Sequence, residues 1–177
     1  MELFEDVPVR GPVWIGIDNG VSGSIGLLGD GEPRFYRADK DYTLNEQNYT
    51  KARKKVNRVS FQLLKALLQC AKGRPGTQVV LERPMVNPGR FQATMSAIRA
   101  MEATLIVVQD DLQLPLLFVD SKEWQRDMLP KGTSGEELKV ASRDIGIRLF
   151  PSLKEVILKQ KDADGLLMAE WCRRRYR

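Results

Sequence analysis

The chain has 177 residues, which is close to the usual length of one domain and long enough to bury roughly two-thirds of the unfolded surface in a single core. Apolar residues make up 42% of the sequence and charged residues 29%, a balance that excludes a disordered or low-complexity chain. Lysine and arginine number 28 against 23 acidic residues, so the net charge is +5 and an anionic partner is favoured.

Three short β-type runs open the chain and predict an antiparallel meander. They cover residues 13–18, 24–28 and 34–37 and are separated by glycine-containing turn clusters. Residues 38–53 are polar and show no hydrophobic period. From Val56 to Ala71, apolar residues recur at spacings of three and four, so this segment is predicted to be an amphipathic helix.

The second half of the chain alternates strands and helices. Apolar strands are predicted at 78–81 and 115–119, helices at 91–105, 121–129 and 162–174, and a loop at 130–135. Ser134 and Glu137 have the spacing of a capping box, which predicts that a helix starts there, continues to Leu149 and is broken by Pro151.

These elements predict an α/β fold with a mixed five-stranded sheet, in which three antiparallel strands are followed by two parallel strands and helices flank the sheet. No repeat or change of composition marks a second domain. We therefore expect one domain over residues 1–177, with an N-terminal extension at 1–12 and a basic C-terminal tail at 171–177.

Residue types exclude several classes of site. Histidine is absent, which removes Ser-His-Asp triads, HExxH zinc sites and any histidine general base. Cys70 and Cys172 form no CxxC pair, so reduced thiols are expected rather than a disulfide scaffold or a zinc site. No apolar run reaches the length of a membrane span, and residues 1–6 lack the layout of a signal peptide, so we expect a cytoplasmic protein.

Basic residues cluster at two places. The first cluster comprises Lys51, Arg53, Lys54, Lys55 and Arg58, and the second is residues 173–177. Such clusters attract phosphate backbones, but each is equally well explained as a solvated helix face or a solubilising tail.

Acidic residues stand where apolar elements end or begin. Asp18 follows the apolar run 14–17, Glu82 follows the run 79–81, and Asp162 and Asp164 precede an apolar helix. In a histidine-free, basic protein this pattern predicts a hard divalent cation, Mg²⁺ or Mn²⁺, bound by oxygen ligands. Two such ions about 4 Å apart can cleave a phosphodiester without histidine.

Each acid also has a purely structural interpretation. Asp18 could form a turn, and Glu82 could pair with Arg83 or Arg90. Asp162 could cap the last helix and Asp164 could interact favourably with its dipole. Taken together and in this order, the acids favour the metal site.

Four segments resemble the RuvC-type branch of the ribonuclease H-like nucleases, the Holliday junction resolvases, and especially their short phage and organelle members. The segments are IGIDNGVSGSIG at 15–26, VVLERP at 79–84, VDSKEW at 119–124 and KDADGLLMA at 161–169. The resemblance implies a ribonuclease H-like nuclease domain with a role in DNA recombination and repair.

This resemblance implies a Mg²⁺-dependent endodeoxyribonuclease that resolves four-way DNA junctions by paired symmetric nicks. It implies that Asp18, Glu82 and Asp164 are catalytic and bind two Mg²⁺ ions, for which Mn²⁺ can substitute, and we assign Asp162 to the same catalytic, metal-binding set. It further implies a homodimer, branched DNA as the partner, no membrane partner, and a location in the cytoplasm or nucleoid, or in the host cytoplasm for a phage protein.

The chain departs from the family at the fourth acid. That acid normally lies three or four positions before the last one, where this chain has Lys161 and Gln160. The nearest acid is Asp162, two positions before Asp164. Because residues two apart on a helix do not face each other, Asp162 can share a cation with Asp164 only if it precedes the helix.

Basic and apolar side chains near these segments are the candidate DNA contacts. Arg90, Lys122, Lys131 and Lys139 are interpreted as phosphate-binding residues, with solvated side chains as the alternative. Met85 or Phe91 could insert where base pairs part, although a core position for Phe91 is the simpler interpretation.

Three alternatives to junction resolution stay open. A ribonuclease H acting on RNA–DNA hybrids would use the same metal chemistry, and a non-catalytic junction-binding protein would fit the displaced fourth acid. The Asp18-Asn19-Gly20 turn also resembles that of actin-like ATPases, but 177 residues are too few for their two lobes.

Overall fold

The structure, a computed structural model, describes residues 11–47 and 55–177. Its strands and helices are, in chain order, β1 (Trp14–Ile17), β2 (Ser24–Leu28), β3 (Arg34–Arg37), β4 (Thr43–Gln47), β5 (Lys55–Val59), α1 (Phe61–Leu68), β6 (Gln78–Glu82), α2 (Phe91–Leu105), β7 (Leu116–Val119), α3 (Ser121–Met128), α4 (Glu136–Leu149), α5 (Lys154–Ile157) and α6 (Asp164–Tyr176).

A five-stranded mixed sheet forms the centre of the fold, with the strand order β3-β2-β1-β6-β7. The strands β1, β2 and β3 pair antiparallel, while β6 pairs parallel with both β1 and β7. The predicted sheet is therefore confirmed. Because β1 and β6 run parallel in the register Ile17 with Leu81, the residues that follow them, Asp18 and Glu82, emerge at the same edge.

Helices cover both faces of this sheet and create two cores. Alternate residues of each strand point to opposite faces, so Ile15 and Ile17 face α1 and the turn after α2, while Trp14 faces α6. The second core, around the fully buried Trp124, joins α3, α4 and α6 to the sheet. The acids that were predicted to bind a cation lie between the helices of this second core and the edge of the sheet.

The segment before α1 differs from the prediction. Lys55–Val59 is strand β5, paired antiparallel with β4 outside the main sheet, and the helix begins only at Phe61. Val56 and Val59 fit a helical spacing, but β-branched side chains also suit a strand and the partner β4 decides between them. Ser60 caps α1, since its side chain accepts a hydrogen bond from the Leu63 amide (3.3 Å).

The start of α4 also differs. Gly135, with φ 57°, occupies the N-cap position, and no side chain caps the helix. The turn is instead closed by the main chain, because the Glu137 amide donates to the Ser134 carbonyl (3.1 Å). The predicted capping box was therefore wrong, although the helix ends at Leu149 as predicted.

The structure describes only part of the predicted N-terminal extension and of the first basic cluster. Residues 1–10 of the N-terminal extension and Lys51, Arg53 and Lys54 lie outside the described residues. At the other end, residues 171–176 continue α6, and Trp171 and Cys172 are buried. Across residues 11–47 and 55–177, none of the helices combines the length and apolar character that crossing a membrane requires.

Candidate metal centre

Asp18 is held at the sheet edge by the turn that joins β1 to β2. Its amide donates to the Ser24 carbonyl (3.0 Å), which closes the turn immediately after β1. The position of the carboxylate is therefore fixed by the central strand pair of the sheet rather than by a free loop.

Close contact between α6 and the sheet brings the acids of α6 to Asp18. Gly16 and Gly26 are cross-strand partners on β1 and β2, and both lie directly under α6. A Cβ atom at Gly16 would lie 2.3 Å from the Gly165 carbonyl oxygen, and one at Gly26 would lie 2.5 Å from the Leu166 Cα atom. Only glycine allows this approach, because side chains at these positions would collide with helix backbone.

The tight packing unites three carboxylates. One oxygen from each of Asp18, Asp162 and Asp164 lies within 4.8 Å of the others. Mg²⁺ binds oxygens at 2.0–2.1 Å, so two ligands on opposite sides of the ion are about 4 Å apart. Asp162 precedes the first residue of α6, which lets it share this space with Asp164 despite their spacing.

Glu82 lies beside this cluster but outside the group of three close oxygens. Its negative charge raises the pKa of Asp18, and Asp164 in turn raises the pKa of Glu82. Within the described chain, Glu82 forms no ion pair with Arg83 or with Arg90. Arg83 pairs instead with Asp120 (3.1 Å). The ion-pair interpretation of Glu82 is therefore wrong.

Burial raises the pKa of all four acids, and repulsion from neighbouring acids adds to this rise for Asp18, Glu82 and Asp164. Burial is the largest cause in each case, and it holds the pKa of Asp18 well above its usual value with further contributions from Asp164, Glu82 and Asp162. Burial and the neighbouring acids raise the pKa of Glu82 and of Asp164 to about 7. A positive charge bound beside these carboxyl groups would favour their ionised forms and lower their pKa values.

Two lysines supply part of that charge. Lys161 Nζ lies 3.9 Å from Asp162 Oδ2, and it lowers the pKa values of Asp18, Asp162 and Asp164. Lys139 acts on Asp162 and Asp164 from α4, although its closest partner is Glu136 (2.7 Å). Since the pKa values stay raised despite both lysines, the four oxygen donors fit a hard divalent cation.

The other three predicted DNA contacts make no recorded interaction with the acids within the described residues, and they lie on separate elements. Arg90 ends the turn before α2, Lys122 lies in the first turn of α3, and Lys131 follows α3. All three side chains are exposed and have no ion pair within residues 11–47 and 55–177. Of the four predicted basic residues, the structure therefore brings only Lys139 to the acids.

Apolar side chains are exposed in the segment after Glu82. Met85 is 79% exposed and Phe91 is 65% exposed. A core position for Phe91 is therefore wrong, even though it begins α2. Both side chains are therefore accessible to a partner.

Two serines at the centre were missed by the sequence analysis. Ser24 Oγ accepts a hydrogen bond from the Gly165 amide (3.1 Å) and anchors the first turn of α6 to β2. Ser142 Oγ donates to Asp164 Oδ1 (2.5 Å) and accepts from the Ala163 amide (3.0 Å). These partners are 141, 22 and 21 residues apart in the sequence, so no local pattern could have revealed them.

The strand order and orientations define a ribonuclease H-like fold. Among solved structures, RuvC of T. thermophilus in complex with a Holliday junction substrate is similar over 93% of this chain and 95% of that chain, with a TM-score of 0.53 and 14% sequence identity. A second T. thermophilus RuvC structure is similar over 90% of both chains, with a TM-score of 0.43 and 15% identity. No family model and no curated protein matches the sequence.

Proposed function

We propose that this protein is a Mg²⁺-dependent endodeoxyribonuclease that resolves four-way DNA junctions by paired, symmetric nicks. The observation that carries the proposal is the convergence of Asp18, Asp162 and Asp164 within 4.8 Å at the edge of a ribonuclease H-like sheet. The fold similarity to RuvC, a protein solved with a Holliday junction substrate, supports the choice of substrate.

The four acids would hold two Mg²⁺ ions, with Mn²⁺ as a substitute. When bound, the ions supply activation of the attacking water and stabilisation of the leaving oxygen. The chain itself contributes the oxygen donors and their spacing: Asp18 from the turn after β1, Glu82 from the end of β6, Asp162 from the segment before α6 and Asp164 from its first residue. Because these elements are packed together, the donors are held in place before substrate arrives.

Basic side chains around the acids would hold the DNA backbone. Of the four candidates, Lys139 acts on Asp162 and Asp164, and Arg90, Lys122 and Lys131 are exposed. Phosphate contacts of this kind provide affinity and orientation without reading sequence. Selectivity would then come from the branched shape of the junction and the ease with which it deforms.

Paired nicks require two sites related by symmetry, so we propose that the active species is a homodimer. Two copies would present their acids to opposed strands of one junction. Sedimentation of the protein with and without a four-way junction tests this point, and a complex with one chain per junction would contradict it.

A substrate panel tests the proposed activity. Purified protein is incubated with Mg²⁺, Ca²⁺ or chelator and with a synthetic four-way junction, a linear duplex or an RNA–DNA hybrid. We expect nicks in two opposed strands of the junction, with Mg²⁺ only, while the duplex stays largely intact. Preferential cleavage of the hybrid would support the ribonuclease H alternative, and tight junction binding without cleavage would support the non-catalytic one.

The variant Asp18→Asn tests the assigned ligand. It keeps the size of the side chain and removes one negative charge from the cluster, so we expect a folded protein that binds junction DNA and cleaves none. Asp144→Asn, on the exposed surface of α4, is the matched control and should cleave at the normal rate. Normal cleavage by the Asp18 variant would show that the metal ligand is wrongly assigned.

A further inference from the structure

A buried hydroxyl connects α4 to the first residue of α6. The Ser142 side chain is 1% exposed, and its Oγ atom is bonded on both sides. It accepts a hydrogen bond from the Ala163 amide (3.0 Å) and donates its hydrogen to Asp164 Oδ1 (2.5 Å). A hydroxyl has one hydrogen to donate, so this hydrogen is committed to the carboxylate.

The backbone around this hydroxyl is closely packed. Gly146 lies one turn after Ser142 on the same face of α4, and a Cβ atom there would lie 2.5 Å from the Ala163 Cβ atom. On the other side of the same segment, Ser24 Oγ accepts from the Gly165 amide (3.1 Å). The main chain at 163–165 is therefore fixed from both α4 and β2.

The Asp164 side chain itself is held differently. Its carboxylate accepts a hydrogen bond from the Ser142 hydroxyl. A charge-assisted O–H···O bond of 2.5 Å restricts the side-chain torsions and sets the plane of the carboxylate. It occupies one of the acceptor positions of Oδ1 and leaves those of Oδ2 available.

We propose that Ser142 is a positioning residue for the metal centre, which orients the Asp164 carboxylate toward the space it shares with Asp18 and Asp162. The inference rests on the proposed function, since it concerns the same cation site. Residues that hydrogen-bond to metal ligands fix ligand orientation, and their removal commonly weakens metal binding by about 10- to 100-fold. Ser142 would act through Asp164 without touching the cation.

Calorimetric titration with Mg²⁺ alone, in the absence of DNA, tests the proposal. The variants are Ser142→Ala and Ser142→Cys, the latter keeping the shape of the side chain with a larger sulfur atom that is only a weak donor. The matched control is Thr77→Val. The Thr77 side chain is also buried, and its Oγ1 atom accepts a hydrogen bond from the backbone amide of Val13 (3.1 Å), which is distant in the sequence. Within the described residues, Thr77 has no hydrogen bond to a carboxylate.

We expect all three variants to melt at a lower temperature than wild type, since each removes the oxygen that accepts a hydrogen bond from a buried amide. Both Ser142 variants should bind Mg²⁺ at least about tenfold more weakly than wild type, while Thr77→Val should bind it with wild-type affinity. Wild-type affinity in both Ser142 variants would overturn the proposal, and so would an equal loss in Thr77→Val, because the effect would then be one of general stability. Wild-type protein that binds no Mg²⁺ would overturn the proposed function itself.

Discussion

Replacing Gly16 with alanine should separate α6 from the sheet and thereby move Asp164 away from Asp18. The added Cβ atom would lie 2.3 Å from both the Ala169 amide nitrogen and the Gly165 carbonyl oxygen, and 2.7 Å from the Met168 Cβ atom. Two of these three atoms belong to the helix backbone, so no side-chain rotation can relieve the overlap. The helix must retreat by about 1 Å to restore ordinary van der Waals contact at roughly 3.4 Å.

The expected loss of stability follows from two opposing effects. Overpacking of a filled core costs about 1–3 kcal/mol, and the upper end applies here because backbone must move. Alanine in place of a strand glycine recovers about 0.5–1 kcal/mol through the lower entropy of the unfolded chain. The net loss is about 2 kcal/mol, which for a domain of this size lowers the Tm by about 4–8 °C.

The assay combines thermal melting in chelator with calorimetric titration of Mg²⁺. Gly16→Ala should lose the stability given above and bind Mg²⁺ at least about tenfold more weakly, since Mg²⁺ requires near-ideal ligand distances. Gly31→Ala is the control, because a Cβ atom there meets nothing within 4 Å. A Gly16 variant with the melting temperature and Mg²⁺ affinity of the control would refute the close helix–sheet contact as the cause of the site.

Three further predictions concern charge. Because burial and the neighbouring acids raise the pKa of Glu82 and Asp164 to about 7, the folded metal-free protein binds protons more tightly than the unfolded chain. The free energy of unfolding in chelator should therefore fall as the pH rises from about 4 to about 7, and Mg²⁺ should restore it at pH 8. A free energy of unfolding that does not change with pH in chelator would contradict the repulsion between the acids. Lys161→Met should tighten Mg²⁺ binding by about fivefold, since it removes a positive charge beside the site; calorimetry showing no change would mean that solvent screens this lysine. Lys122→Ala and Lys131→Ala should each reduce the salt dependence of junction binding by about 0.9 in the slope of log K against log salt concentration, and unchanged slopes would remove these residues from the DNA interface.

Local patterns determined the elements of the central sheet. Strands β2 and β3 and helix α2 have the bounds predicted from the sequence, and β1, β6 and β7 differ from the prediction by one or two residues. These elements carry apolar periods bounded by glycine and proline, which are signals that reside within the element. The order of antiparallel and then parallel strands also followed from the order of elements, because three strands joined by turns precede two strands separated by a helix.

Where the local signal was ambiguous, the prediction failed. Val56 and Val59 fit either a helix or a strand, and pairing with β4 made them a strand. Ser134 had the spacing of a capping residue, but the chain turns through Gly135 with a positive φ instead. In both cases, interactions with neighbouring segments outweighed a preference of a few tenths of a kcal/mol to about 1 kcal/mol.

The sequence by itself determined that the chain carries acids at element ends, no histidine and an excess of basic residues, and these facts favour a cation site with oxygen ligands. The tertiary structure decided which acids meet. It placed Asp162 with Asp18 and Asp164 and set Glu82 to one side, because glycines on two strands let one helix approach the sheet backbone. It also supplied Ser142 from a separate helix. Distances of a few ångströms between residues more than a hundred positions apart depend on packing, and packing is a property of the whole fold.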